Sequence, residues 1–83
     1  MALVPVYMPK FGMTMTEGLI TEWHVAEGAM VQQGDPLFSV ETEKANSDVE
    51  APVGGTVAEI CAEAESEVPV GEIVAYLDTG AAS

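Results

Sequence analysis

The sequence predicts an all-β fold, a sandwich or flattened barrel of short strands, and three of its features lead there. Glycines and prolines are spread along the chain as punctuation, the segments between them are short and alternating or β-branched, and the chain repeats its own pattern when displaced along itself. The first strand is expected over residues 3–8, an apolar run with Val4 and Val6. Residues 19–25 follow, with β-branched Ile20, Thr21 and Val25, and stop before a turn at Glu27-Gly28. After the turn Gly34-Asp35-Pro36 come residues 37–42, then 47–51, where Val49 and Ala51 alternate with Asp48 and Glu50. The turn Val53-Gly54-Gly55 leads into residues 56–60, and Gly71-Glu72 into 73–77. Residues 58–67, rich in Ala and Glu, invite a helical reading. They carry no apolar face at i, i+3, i+4 and are shorter than a marginal helix needs, so they are read as strand followed by loop.

When Gly18 is laid on Gly55, residues 18–41 align with residues 55–78 without a gap. Identities fall at Gly18/Gly55, Glu22/Glu59, Val31/Val68 and Gly34/Gly71, while Ile20/Val57, Leu37/Val74, Val40/Leu77, Asp35/Glu72 and Glu41/Asp78 keep their character. The matched turn glycines and apolar alternation predict two similar β units about a pseudo-twofold axis, each covering the other's apolar face. Such an axis places the turn after Glu41 and the chain end after Asp78 at opposite ends of the domain.

Of the 83 residues, 14 are Asp or Glu and 2 are Lys or Arg, a formal net charge of −12, and 48% are hydrophobic. A chain this short encloses one small core, which excludes an enzyme with separate cofactor and substrate domains, and it is too apolar for an acidic disordered tail. With no basic stripe, neither nucleic acid nor an anionic membrane is an expected partner; a basic protein face is. No run approaches the ~18 apolar residues of a spanning helix, and no secretory signal opens the chain, so a soluble intracellular domain is expected. The single Cys61 has no partner for an internal disulfide.

Pairing Glu43 with Asn46 across a two-residue turn gives a hairpin whose faces segregate. One face becomes Thr42/Ser47, Val40/Val49 and Phe38/Ala51; the other becomes Glu43/Asn46, Glu41/Asp48 and Ser39/Glu50. Lys44-Ala45 lacks the Asn-Gly chemistry of a primed turn, so packing of the strands must impose the reversal. Lys44 stands at the tip among Glu41, Glu43, Asp48 and Glu50. Two readings are open at this point: a solvated acidic face whose repulsion Lys44 relieves, or a recognition surface whose target is the Lys44 amine.

The remaining reactive types point elsewhere or nowhere. Lys10, the other amine, sits in the entry segment without a symmetric hairpin. His24 has no Cys or second His at ligand spacing, so no metal site is expected, and it is read as a partly exposed strand residue. Cys61 is its counterpart in the repeat and is read as packing, and Met8, Met13 and Met15 as core filling beside Trp23, Phe38 and Val40. No calcium loop, phosphate cradle or Gly-x-Ser-x-Gly elbow is present.

Read together, Met8-Pro9-Lys10-Phe11-Gly12-Met13-Thr14-Met15-Thr16-Glu17-Gly18, Ile20-Thr21-Glu22-Trp23, Glu27-Gly28, Gly34-Asp35-Pro36-Leu37, Glu41-Thr42-Glu43-Lys44-Ala45 and Val49-Glu50-Ala51-Pro52 follow a known order and spacing. Over essentially its whole length the chain closely resembles the lipoyl domains of 2-oxo acid dehydrogenase complexes, most often found at the N-terminus of the dihydrolipoyl acyltransferase component. The resemblance implies the biotinyl/lipoyl carrier fold, two four-stranded antiparallel sheets with internal pseudo-twofold symmetry, spanning residues 1–79, with 80–83 the start of an Ala-rich linker. It implies a carrier domain and not an enzyme, with lipoic acid in amide linkage to Lys44. Glu41, Glu43 and Ala45 would guide the lipoate ligase or lipoyl transferase. Glu43 departs from the family's usual Asp by one methylene.

The implied partners are a thiamine-dependent 2-oxo acid decarboxylase, the acyltransferase core and dihydrolipoyl dehydrogenase. Thr14, Glu17, Asp48 and Glu50 are the candidate contacts, in a monomeric domain of the bacterial cytoplasm or, after processing, the mitochondrial matrix. A biotinyl carrier is the alternative, but its lysine normally lies between two methionines, whereas Glu43 and Ala45 flank Lys44. An unmodified interaction module, or an enzyme built on Glu41, Glu43, Asp48 and Glu50, is the third reading; four acids on an open face form no dry pocket.

Overall fold

The computed structural model describes residues 2–10, 16–42 and 46–80. Among them are eight strands: β1 (Leu3–Tyr7), β2 (Glu17–Trp23), β3 (Met30–Val31), β4 (Pro36–Glu41), β5 (Asn46–Glu50), β6 (Gly55–Ile60), β7 (Ser66–Pro69) and β8 (Ile73–Asp78). They pair antiparallel into two four-stranded sheets, ordered β1-β8-β6-β3 and β5-β4-β2-β7. The sheets are those the sequence predicts. β3 and β7 are not among its expected strands, and β7 begins inside the stretch read as loop. Each has one inward residue, Val31 or Val68, too little for an alternating pattern to show. Their trace in the sequence is the Val31/Val68 identity of the repeat.

The pseudo-twofold axis extends to backbone detail. The β2–β4 ladder is irregular between Ile20 and Glu22, and the β6–β8 ladder at the equivalent place, between Val57 and Glu59. Gly34 and Gly71 hold φ of 93° and 92°. The Gly34 amide donates to the Ala51 carbonyl and the Gly71 amide to that of Met8, while Ala51 and Met8 donate back to Asp35 and Glu72. Ala51-Pro52 is therefore the counterpart of Met8-Pro9, and β5 of β1, an extension of the repeat that the aligned segments do not contain.

One departure from symmetry is a test of backbone strain. Gly28 has φ 91°, and its counterpart Glu65 has φ 66°, the one non-glycine with positive φ among the described residues. The amide of Gly28 donates to Val57 O and that of Glu65 to Ile20 O, so both turns are fixed by the same contact. A left-handed L-residue costs ~1–2 kcal/mol, and glycine loses ~0.5–1 kcal/mol more chain entropy. Glu65→Gly should therefore raise stability by up to about 1 kcal/mol, read as an increased urea midpoint. Gly28→Ala should lower it.

The β4–β5 register differs from the expected one. Phe38 faces Val49, Ser39 faces Asp48, Val40 faces Ser47, and Glu41 faces Asn46. The shift is two residues from the expected pairs. Because side chains alternate with period two, each residue keeps its predicted face while its partner changes. The cause is the connection: the last pair is Glu41–Asn46, so residues 42–45 join the strands where a two-residue turn was expected, in keeping with the absence of primed-turn chemistry at Lys44-Ala45. The like-charge pair Glu41/Asp48 is thereby avoided.

Side chains from both inner faces meet in one core: Val6, Met8, Ile20, Val31, Leu37, Phe38, Val40, Val49, Ala51, Val57, Val68, Val74, Ala75 and Leu77 are all buried. Trp23 packs on it with its ring centroid 4.6 Å from that of Phe38, and its Nε1–H donates to Ala62 O at 2.8 Å. The indole thus buries its apolar body without stranding its donor. Met8 fills the core as expected; Met13 and Met15 lie outside the described residues. Cys61, expected to be packing, is exposed.

The axis also orders the two ends. The chain leaving β2 beside Phe38 runs on to Gly28, whose amide reaches Val57, opposite Leu77 of β8. The Asp78 end of β8 therefore lies beyond Phe38, away from Glu41. Thr79 donates its amide to Ala2 O at 2.9 Å, bringing the two ends of the described chain together there.

Candidate modification site

The hairpin of β4 and β5 carries the site. Its inward residues Phe38, Val40 and Val49 anchor it in the core, and its outward residues Ser39, Glu41, Asn46, Asp48 and Glu50 form the outer face. Residues 42–45 connect the strands beyond the Glu41–Asn46 pair, and Lys44 belongs to this connection. Glu43, Lys44 and Ala45 lie outside the described residues, as does Thr14. Glu41 is exposed at the end of β4, between Asn46 on β5 and Leu19 on β2.

The other expected contact residues are spread along this sheet. Glu17 opens β2 just past the Leu19–Glu41 pair, at the hairpin's end of the domain. The negative charge of Glu67 and a hydrogen bond with it push the Glu17 carboxyl above its ordinary range. Asp48 lies further along β5, and Glu50 at its far end, opposite Pro36. With Glu22 and Glu67, whose ladder partners Ser39 and Leu19 also face outward, these acids make the hairpin sheet's outer face strongly negative.

Two residues not expected at the site join Asp48. The Ser39 hydroxyl donates to Asp48 Oδ1 at 2.7 Å, and His24 Nε2 lies 2.8 Å from Ser39 Oγ and 3.6 Å from Asp48 Oδ1. Ser39 has one hydroxyl proton and spends it on Asp48, so His24 Nε2 must carry a hydrogen and donate to Ser39. This polarity is the reverse of a serine nucleophile, whose histidine accepts the hydroxyl proton. The Ser39 hydrogen bond lowers the Asp48 pKa; partial burial opposes it and His24 adds a further lowering. A depressed carboxyl stabilises the fold above its unfolded pKa, and the contribution is lost as pH falls through the folded value. Ser39→Ala should move the Asp48 pKa upward toward 3.8 in an NMR titration; an unchanged value would remove Ser39 from this role. The trio was hidden from the sequence because it appears only in the correct register, with Ser39 opposite Asp48.

Cys61 offers no competing chemistry. Partial desolvation, then Glu59 and Glu27, push its thiol upward, away from the thiolate that nucleophilic sulfur requires.

With a lysine-bearing connection at one end of a symmetric two-sheet body, the class is that of a covalent carrier domain. The chain belongs to the Biotin_lipoyl family, described as "Biotin-requiring enzyme", whose model matches residues 4–77. It is 40% identical over 83 residues to the dihydrolipoyllysine-residue acetyltransferase component of the pyruvate dehydrogenase complex of Corynebacterium glutamicum, covering 99% of this chain and 12% of that protein. It is 36% identical, over 100% of this chain and 20% of the relative, to the lipoamide acyltransferase component of the branched-chain alpha-keto acid dehydrogenase complex of Bacillus subtilis. The chain thus spans only a small part of these relatives.

Among solved structures, the lipoyl domain of the 2-oxoglutarate dehydrogenase complex from Azotobacter vinelandii superimposes with a TM-score of 0.75 at 27% identity, covering 90% of this chain and 95% of that one. A long-chain acyl-CoA carboxylase shares the fold, with a TM-score of 0.76 at 18% identity, covering 93% of this chain and 7% of that one. The protein is a small carrier domain of lipoyl type and not a catalytic domain.

Proposed function

We propose that Lys44 carries lipoic acid in amide linkage and that the chain shuttles acyl groups within a 2-oxo acid dehydrogenase complex. The observation that carries this reading is that the hairpin ladder ends at the Glu41–Asn46 pair, between which Lys44 falls in the sequence, at the end of the domain away from Ala2 and Thr79. The relatives named for a dihydrolipoyllysine residue support it. Held in amide linkage on Lys44, lipoic acid would supply a disulfide suited to reductive acylation, acyl transfer to coenzyme A and reoxidation by a flavin enzyme.

The chain's own residues do the positioning. The buried Phe38, Val40 and Val49 anchor the two hairpin strands in the core, and exposed Glu41, three residues before Lys44 in the chain, offers the modifying ligase or transferase a charge. About eleven bonds of roughly 1.25 Å put a lipoyl disulfide on the order of 14 Å from the Lys44 Cα. Domain and tether together raise the local concentration of the acyl group for the decarboxylase, the acyltransferase core and the dihydrolipoyl dehydrogenase. Glu17, Asp48 and Glu50, with Thr14, are the contacts we assign to the decarboxylase; charge reversal at Asp48 or Glu50 slows reductive acylation in this reading.

Intact mass measurement and peptide mapping after exposure to a lipoate ligase and lipoate test the proposal. One lipoyl increment on Lys44 is expected. Binding of the expressed protein to streptavidin with no lipoyl increment would overturn it in favour of biotin.

A further inference from the structure

The pseudo-twofold axis allows the two outer faces to be compared position by position. On the sheet of β1, β8, β6 and β3 one row runs straight across as Leu3, Asp78, Thr56, Met30, a second as Pro5, Tyr76, Glu59, and a third as Tyr7, Ile73. The equivalent rows of the hairpin sheet read Asn46, Glu41, Leu19, Glu67; then Asp48, Ser39, Glu22; then Glu50, Pro36. One backbone frame thus presents an acidic face on one side and an apolar, aromatic one on the other. Among the described residues, the exposed large hydrophobics, Leu3 at 50%, Tyr7 at 51% and Met30 at 83%, all belong to the second face. Leu3 and Met30 sit three strand spacings apart, about 14 Å. Between Leu3 and Tyr7 the adjoining pairs Pro5–Tyr76 and Tyr7–Ile73 continue the apolar surface across β1 and β8, which makes it a patch and not a scatter of single residues.

We propose that the outer face of the β1-β8-β6-β3 sheet is a second docking surface, back to back with the hairpin face, for a protein partner that presents Lys or Arg side chains interspersed among apolar ones. Charge selects this occupant. Asp78 stands between Leu3 and Thr56, and Glu59 beside Tyr76, so the partner must bring cations to the same place where it buries aliphatic and aromatic area. A second copy would set Asp78 and Glu59 against like charges and add another −12 to a complex already at −12. An anionic lipid surface is repelled for the same reason. The inference rests on the carrier reading and deepens it: a component bound to this face holds the domain while its hairpin is presented to another, so the partner is sought among the components of the same complex.

The symmetry supplies the variant. Leu3→Asn, Tyr7→Gln and Met30→Gln remove the apolar area without changing the charge that attracts the partner, at positions whose equivalents in the hairpin sheet, Asn46, Glu50 and Glu67, are already polar. The lipoylated, 15N-labelled chain is titrated with the purified cognate decarboxylase, acyltransferase core and dihydrolipoyl dehydrogenase at low and high salt. With at least one component, amides of β1, β8 and β6 shift, and binding weakens as salt is raised. The triple variant then binds that component about tenfold or more weakly, with lipoylation and the amide chemical-shift dispersion of the core strands unchanged.

No shift on this face with any of the three components overturns the proposal, as does a triple variant binding within about twofold of the parent. Sedimentation showing a dimer of the parent that the triple variant abolishes gives the face to a second copy and overturns it as well. A parent chain that the ligase does not lipoylate fails the carrier reading itself. A lipoylated parent that is acylated normally but shows no shift on this face fails the docking proposal alone.

Discussion

Lys44→Gln protein is expected to fold, to take up no lipoate, and to leave its complex without acyl transfer. Losing the tether removes the effective concentration it confers, a fall in complex turnover of about 10²–10⁴-fold. Lys44→Arg should fail equally, because the guanidinium keeps the charge but offers no amine for amide formation. Lys10→Arg should retain full modification. Folding is expected to survive because, among the described residues, Phe38, Val40 and Val49 already anchor the two hairpin strands in the buried core. Mass spectrometry reads the modification and an assay of the reconstituted complex reads turnover. Retained turnover in the Lys44→Gln protein would reopen the unmodified-module reading.

Phe38→Ala is expected to unfold much of the population near physiological temperature. Phe38 is fully buried at the middle of the hairpin and is the ring on which Trp23 packs. Removing a buried phenylalanine costs about 3–5 kcal/mol, from a total of only ~5–15 kcal/mol in a small domain. At about 4–8 °C per kcal/mol for a domain of this size, the melting temperature should fall by at least roughly 12 °C. Thermal unfolding followed by Trp23 fluorescence checks it, and a loss below about 5 °C would mean that the site collapses around the missing ring.

What the sequence could tell was governed by period and by repeat. Alternation at Val40, Val49 and Phe38 set which side chains turn inward, because a strand has only two faces; it did not set partners, because a slip of two residues leaves those faces unchanged. The register therefore had to come from the connection, and Lys44-Ala45 has no turn chemistry of its own to reveal it. A short second echo, Val6-x-x-Pro9 against Val49-x-x-Pro52, marks β1 and β5 as equivalents and was the available clue. The His24–Ser39–Asp48 chain depended on that register, so His24 read as solitary. Likewise β3 and β7 are too short to alternate, and only the Val31/Val68 identity announced them. The role proposed for the lysine, by contrast, was read from the resemblance carried by its neighbours Glu41-Thr42-Glu43 and Ala45.

The domain measures 40 × 20 × 20 Å, and Ala2 and Thr79 meet at the end remote from the Glu41–Asn46 pair. Any chain joined at either terminus therefore holds this body by its heel, and the body acts as a stiff boom. With Lys44 lipoylated as proposed, the boom's 40 Å exceeds the ~14 Å reach of an extended lipoyl-lysine side chain. Pivoting at the heel would sweep the cargo through a far wider arc than the side chain alone could cover, with no residue of the domain having to unfold.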